Sequence, residues 1–343
     1  GAGQASIVFD NNARVFDPEY EDSPYYGQII PRREIRITSG GVVTYSGSVD
    51  DWNLNYEPNG NNVAEASCSD ALRIFAGQSL SAFTNEVQTS GERVEAILSR
   101  PEINWGTNAR QIDTGRQTLG PDVVADGTNA LAYLQKVEAS EPGAFFVNKA
   151  GQVTFINRST GPQSGVPVLT DNGTGIGYQG ISVVYGSELL YNDISITTVI
   201  TGNTSTAQNT FSKGIYGQLS LIEDGLLMEK DADALELAQW YAGLYSQPEF
   251  RFNSVDILLN DLTDAEQAEI LGLELGDVVK VVFTPGNPSV GPAIEKFADV
   301  IRLDNSVDSQ FHRVSIGFST LRTAFFVLDD AEFGRLNEGA LGF

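Results

Sequence analysis

Paired carboxylates are the first residues here that could do chemistry. Asp50-Asp51, the loop set Asp17, Glu19, Glu21 and Asp22, and Asp329-Asp330 have the composition of a glycoside hydrolase acid/base pair. The chain carries 45 acidic residues, so neighbouring carboxylates arise from composition alone and no pair is assigned a catalytic role. Asp10-Asn11-Asn12 and Asp171-Asn172-Gly173 lack the alternating oxygen ladder and closing Glu of a calcium loop, and read as Asx turns. Gly173-Thr174-Gly175-Ile176-Gly177 has no following Lys-Ser/Thr and no strand-to-helix context, so it reads as a loop and not a phosphate cradle. No G-x-S-x-G nucleophile motif occurs. His312 shares the phase of Val314, Ile316 and Phe318, which predicts packing at a strand edge over proton transfer. Cys68 precedes a helix cap, where thiols can be activated, but a small buried residue is the simpler reading. Trp52, Trp105 and Trp240 read as core aromatics before they read as sugar platforms. No catalytic, cofactor or metal residue is assigned, and the expectation is a protein that is not an enzyme.

The elements that carry these residues are mostly strands. Residues 5–9 have strand composition. Residues 17–24 hold two prolines and form a polar loop. Arg33 to Thr38 alternates and turns back through Gly40-Gly41 into a strand over 42–50, with Trp52, Leu54 and Tyr56 on a next strand. The period then changes. Ser69 is expected to cap a helix bearing Leu72, Phe75, Ala76 and Leu80. Thr89 with Glu92 forms a capping box, and Thr128 precedes a third helix with Leu131, Leu134 and Val137. A hairpin over 144–157 follows. Strands are expected over 181–185, 193–198 and 217–221. Asp233 with Glu236 opens a helix whose buried stripe is Leu235, Ala238, Ala242 and Tyr245, and Thr263 with Glu266 opens a short one. Strands over 278–283, 295–303 and 312–321 complete the series.

The chain has 343 residues, enough for about two domains. Its net charge of −24 excludes tight binding to a phosphate backbone or an anionic membrane. Hydrophobic residues at 41% exclude a solvated, unfolded chain. One cysteine excludes an internal disulfide, and no apolar run reaches the length of a membrane helix. The 35 glycines mark turns between short strands.

Three stretches taken in order carry a resemblance. The first runs from Gly3-Gln4-Ala5-Ser6-Ile7-Val8-Phe9-Asp10-Asn11 through Phe16-Asp17-Pro18 to Ser23-Pro24-Tyr25-Tyr26-Gly27 and Ile30-Pro31-Arg32-Arg33. The second is Ala130-Leu131-Ala132-Tyr133-Leu134, then Glu141-Pro142-Gly143-Ala144-Phe145-Phe146-Val147 and Gly151-Gln152-Val153-Thr154-Phe155. The third is Phe326-Val327-Leu328-Asp329-Asp330, Phe333-Gly334 and Leu341-Gly342-Phe343. Together they resemble the minor tail proteins, of the tail-hub type, of long-tailed actinobacterial phages.

The resemblance implies a mainly β fold: two tail-tube-like β-barrels with an α+β insertion. It divides the chain into a first barrel at 1–66, expected to lack its leading strands, an α+β domain at 67–160 and a linker loop at 161–180. A second barrel with two helices follows at 181–323, then a docking tail at 324–343. It implies a homotrimer at the virion's tail tip, assembled in the host cytoplasm without membrane insertion. The trimer would join the tail tube or distal tail ring, the tape measure protein and other minor tail or fibre proteins, and DNA would pass without specific binding. Phe326, Leu328, Phe333, Leu341 and Phe343 are the expected assembly residues, since apolar side chains on a tail are costly in water unless they dock. No cofactor is implied. The competing readings are a receptor-binding protein for surface glycans and a cell-wall hydrolase.

Overall fold

The computed structural model describes residues 1–58, 60–157, 165–284, 286 and 292–320. The fold is mainly β with inserted helical material, as the sequence reading expects.

The first unit is an antiparallel sheet of β1 (Gln4–Asp10), β2 (Glu34–Ser39), β3 (Val42–Asn55) and β4 (Val63–Ser69), in the order β1-β4-β3-β2. Gly40 and Gly41 both have positive φ, which closes the β2–β3 hairpin without a Cβ clash. The strands expected on either side of Asp50 are one strand. Its register shifts between Val49 and Asp51, so a bulge re-phases the side chains and breaks the alternation that sequence reading follows. β4 crosses positions 66 and 67 and pairs with both β1 and β3. One face carries Ala5, Phe9, Val49, Trp52, Ala66 and Cys68. The loop after β1 folds back over it, stacking Phe16 on Phe9 with ring centroids 4.4 Å apart.

The second unit joins α1 (Ala71–Ala76), α2 (Ser90–Leu98) and α3 (Ala130–Ser140) to a small sheet of β5 (Arg110–Ile112), β6 (Ala144–Val147) and β7 (Val153–Ile156). Their buried faces form one core around Phe75, Ile97, Leu134 and Phe155. The Thr89–Glu92 capping box is present in both directions. Two caps fall one residue later than expected. Asp70 replaces Ser69 and accepts from the Leu72 N–H, and Asn129 replaces Thr128 and accepts from Ala132. Gly77 ends α1 early, so Leu80 reaches the core from an extended segment.

The third unit begins where the sequence suggested only a loop. β8 (Val168–Thr170) and β9 (Ile176–Gly177) join β10 (Gly180–Tyr185). The chain then makes a three-stranded sheet of β11 (Asp193–Thr198), β12 (Thr204–Gln208) and β13 (Ser220–Leu226), with α4 (Thr210–Tyr216) and α5 (Asp231–Tyr245). On α5 the buried stripe is Ala234, Leu237, Ala238 and Ala242. Leu235 is exposed instead, because the helix starts at Asp231 and presents its small alanines for close approach to the sheet. β14 (Phe250–Leu258), α6 (Asp264–Gly272), β15 (Val278–Phe283), β16 (Ile294–Val307) and β17 (His312–Thr320) complete the chain's described part. The Thr263–Glu266 capping box opens α6 as expected.

These outer segments form a seven-stranded sheet in the order β9-β8-β15-β16-β17-β14-β10. Its two edge strands are consecutive in the chain. Only Tyr178 and Gln179 separate Gly177 from Gly180, so their Cα atoms lie within about 11 Å of each other, three peptide steps. A flat sheet cannot bring its two edges that close, so the sheet curls around the core of Leu169, Val255, Val281, Val300 and Ile316. The Tyr178 hydroxyl donates to the Val282 carbonyl at 2.9 Å and holds the seam.

One turn ties the three units together. The Ser46 hydroxyl of the first sheet donates to the Lys149 carbonyl at 2.7 Å. The Lys149 N–H donates to Glu274 at 3.0 Å, and its ammonium donates to the carbonyls of Leu271 and Leu273 at the end of α6. Burial lowers the Lys149 pKa and raises those of Glu274 and Asp277.

Candidate assembly surfaces

Of the carboxylates that invited a catalytic reading, Asp17 and Asp50 hold the fold. Asp17 is buried. It accepts from the Glu19 N–H at 2.9 Å and pairs with Arg14 at 2.6 Å, and these contacts hold its carboxyl below the usual carboxylate range. Glu19, Glu21 and Asp22 are exposed on the same loop. Asp50 is the bulged residue of β3, 3.8 Å from the Arg73 guanidinium, and Asp51 lies on the sheet's open face. Asp329-Asp330 lie outside the described residues. Among the described residues no three His, Cys, Asp or Glu side chains gather as a metal site.

Asp10 and Asn172 make the expected Asx turns: Asp10 accepts from the Asn12 N–H at 2.9 Å and Asn172 from Thr174 at 3.0 Å. The glycine-rich run after Asn172 is the turn from β8 to β9, with Gly173 at positive φ. His312 opens β17, half-buried, with Nδ1 3.4 Å from the Ser39 hydroxyl and Nε2 3.2 Å from Asn305. Burial lowers its pKa, and its partners make it a peg between the first sheet and the curled one. Cys68 is buried and free. Burial pushes its thiol up to about 11, which removes it from nucleophilic chemistry at neutral pH. Trp52 and Trp105 pack at the margins of cores, and Trp105 sits edge-on to Phe75 at 5.1 Å. Trp240 packs against the core under α5. The assembly residues expected in the tail (Phe326, Leu328, Phe333, Leu341 and Phe343) lie outside the described residues.

What the described surface offers instead is open sheet. The face of the first sheet opposite its core carries Ser6, Asp10, Asp51, Asn53 and Asn55, all exposed, with Glu65 and Ser67 among them. Ser6 donates to Glu65 at 2.6 Å across the strands. Arg36 is the basic residue of this face, at the β2 corner. Among the described residues, both edge strands, β1 and β2, have one side without a strand partner. Exposed apolar side chains stand on the third unit, with Phe211 at 71% and Ile222 at 63% exposure. Free edges follow from non-local pairing, so no sequence signal marked them.

No family model matches the chain, and no curated protein matches it in sequence. Solved structures do. The 43 kDa tail protein of prophage MuSo2 from Shewanella oneidensis matches with a TM-score of 0.58 and 14% identity, covering 94% of this chain and 90% of that one. A tail protein from Neisseria meningitidis matches at 0.62 and 10%, covering 92% and 87%. The fold is similar to that of these prophage tail proteins. A component of the Escherichia coli type VI secretion system, itself described as structurally similar to the T4 tail proteins gp27 and gp5, matches at 0.51 and 10%, covering 93% of this chain and 70% of that one. These tail-protein folds thus extend across all three units of the chain.

Proposed function

We propose that the chain is a structural hub subunit of a phage-type tail. The observation that carries this reading is the match of more than nine-tenths of the chain to two prophage tail proteins, across first sheet, α+β unit and curled sheet alike. Three copies, each contributing its first sheet and its curled sheet, would make a six-part ring around a central channel at the tail tip. The ring would join the tube or distal tail ring and the tape measure protein on one side and fibre proteins on the other. Assignment to phages of actinobacteria rests on the motif resemblance.

The mechanism is assembly. Open edges and exposed apolar residues find partners, and the tail with Phe326, Leu328, Phe333, Leu341 and Phe343 docks on a neighbour. The polar face of the first sheet is suited to line the channel. Its carboxylates at Asp10, Asp51 and Glu65 repel phosphates, so DNA passes without adhering. No residue is assigned a reaction; Asp17 and Asp50 are held in a turn and an ion pair with Arg14 and Arg73 respectively.

Light scattering on the full chain tests the symmetry, with a trimer mass expected at micromolar concentration. A tail copy number that is not a multiple of three overturns the hub assignment. A map of the intact tip with a neutral or basic lumen overturns the channel role. Clearing of host cell walls in a zymogram would overturn the non-enzymatic reading.

A further inference from the structure

We infer that the open edge of β2 and the groove beside it form a strand-addition site for residues 324–330 of the C-terminal segment of a neighbouring copy of the chain. The inference rests on the reading that this segment docks, and it names the place.

Among the described residues β2 pairs with β3 alone, so alternate N–H and C=O groups of residues 34–39 face away from the sheet. Charged side chains such as Glu34 and Arg36 are an ordinary way to keep an edge strand soluble. Two further features set this edge apart. The first is a groove of about 490 Å³ over the face that β2 shares with β3, floored by Glu34, Arg36 and Ser46 and walled by Ile74, Trp105 and Val147 of the α+β unit. That size falls within the usual ~300–1,000 Å³ of ligand clefts. The second is charge. Arg32, Arg33 and Arg36 are all exposed, and among the described residues none of the three forms an ion pair. Three unpaired arginines within five positions, with Glu34 as their one opposing charge, are an anomaly in a chain of net charge −24. The other open edge, β1, presents no arginine.

The occupant follows from complementarity. Ala324-Phe325-Phe326-Val327-Leu328 is a β-favouring apolar run, about as long as the six-residue β2, and Asp329-Asp330 follow it directly. An added strand alternates its side chains. Half of the run would enter the groove beside Trp105 and Val147, and half would lie beside Ile35 and Ile37. The two aspartates would reach the arginines.

The test is hydrogen exchange, read by mass spectrometry, on the full chain and three charge variants. In the unaltered chain, residues 34–39 and 324–330 are both expected to be protected. Asp329→Lys with Asp330→Lys should speed exchange of both segments at least tenfold, as should Arg33→Glu with Arg36→Glu. β3 and β4 should stay protected, which reports that the sheet is folded. Combining the two pairs of substitutions should restore most of the protection. Residues 324–330 exchanging at the unprotected rate in the unaltered chain would overturn both this inference and the docking reading. Protection that ignores both charge reversals would overturn the inference alone, because the segment would then dock elsewhere.

Discussion

Arg93 on α2 is fully buried, and replacing it should unlock the α+β unit that walls the groove. Its Nε donates to Gln88 at 2.8 Å. One terminal nitrogen donates to Asp122 at 2.7 Å and to the Tyr133 hydroxyl of α3 at 3.0 Å. The other donates to the carbonyls of Glu86 at 2.7 Å and Gly120 at 3.0 Å. Arg93→Met keeps most of the volume and removes all five donors. Asp122 would then be a mostly buried carboxylate with only Asn85 and Tyr133 as donors. Breaking one partner of a buried pair costs about 3–5 kcal/mol. Two stranded carbonyls add about 1–3 kcal/mol each, and the apolar Met recovers about 2 kcal/mol. The expected net loss is about 3–9 kcal/mol in the local opening free energy of α2 and α3. A whole-chain melt would mix three units, so the assay is native-state hydrogen exchange of those two helices. Arg93→Met with Asp122→Asn should be milder than the sum of the single changes by about 1–3 kcal/mol, since the orphaned charge is gone. A loss below about 1 kcal/mol, or strict additivity, would refute the view that this network locks the unit.

Other outcomes follow from single sites. Cys68, with its thiol pushed up to about 11, should react with Ellman's reagent at pH 8 at least ~100-fold more slowly in the folded chain than in denaturant. Asp17 has a lowered folded pKa, so its contribution is present above the ordinary carboxylate range and is lost as pH falls through the lowered value. Trp52 fluorescence, which reports the adjoining aromatic stack, should therefore hold steady down to about pH 4 and change below it. Thr263→Ala removes one half of the α6 capping box and should cost about 1 kcal/mol, read as faster exchange of α6 amides. Gly91→Ala would drive a Cβ into the Asp113 carbonyl at the start of α2, and a loss of about 1–3 kcal/mol or of soluble yield is expected.

The local chemistry of this chain was readable without coordinates. Thr89 and Thr263 each stand three residues before a Glu, and both capping boxes exist as read. Gly40-Gly41 made the hairpin, and the alternation of 193–198 and 278–283 gave strands with those bounds. What escaped was set by distant partners. Val168–Thr170 is too short and too close to glycines to read as a strand, yet it pairs with Lys280–Val282 far along the chain. The bulge at Asp50 hid a continuous strand, and the face of α5 was chosen by the sheet beneath it. The candidate surface followed the same rule. Arg32, Arg33 and Arg36 are visible as letters, but only the sheet order reveals that they border an open edge. The apolar tail residues were visible too, and their role stays a matter for experiment.

The seam at Tyr178-Gln179 also sets the order in which the chain can fold. β8, β9 and β10 are made early, but their partners β14 to β17 come after the intervening β11–α5 segment. That segment is local and can form as soon as it emerges, whereas closure of the curled sheet must wait for roughly 100 more residues. At 5–20 residues per second, the wait is on the order of 5–20 s. During that time β8 and β9 have only each other and β10 lacks its partner β14, at the slow, non-local end of folding topologies. Completion of the curled sheet therefore comes last in chain order.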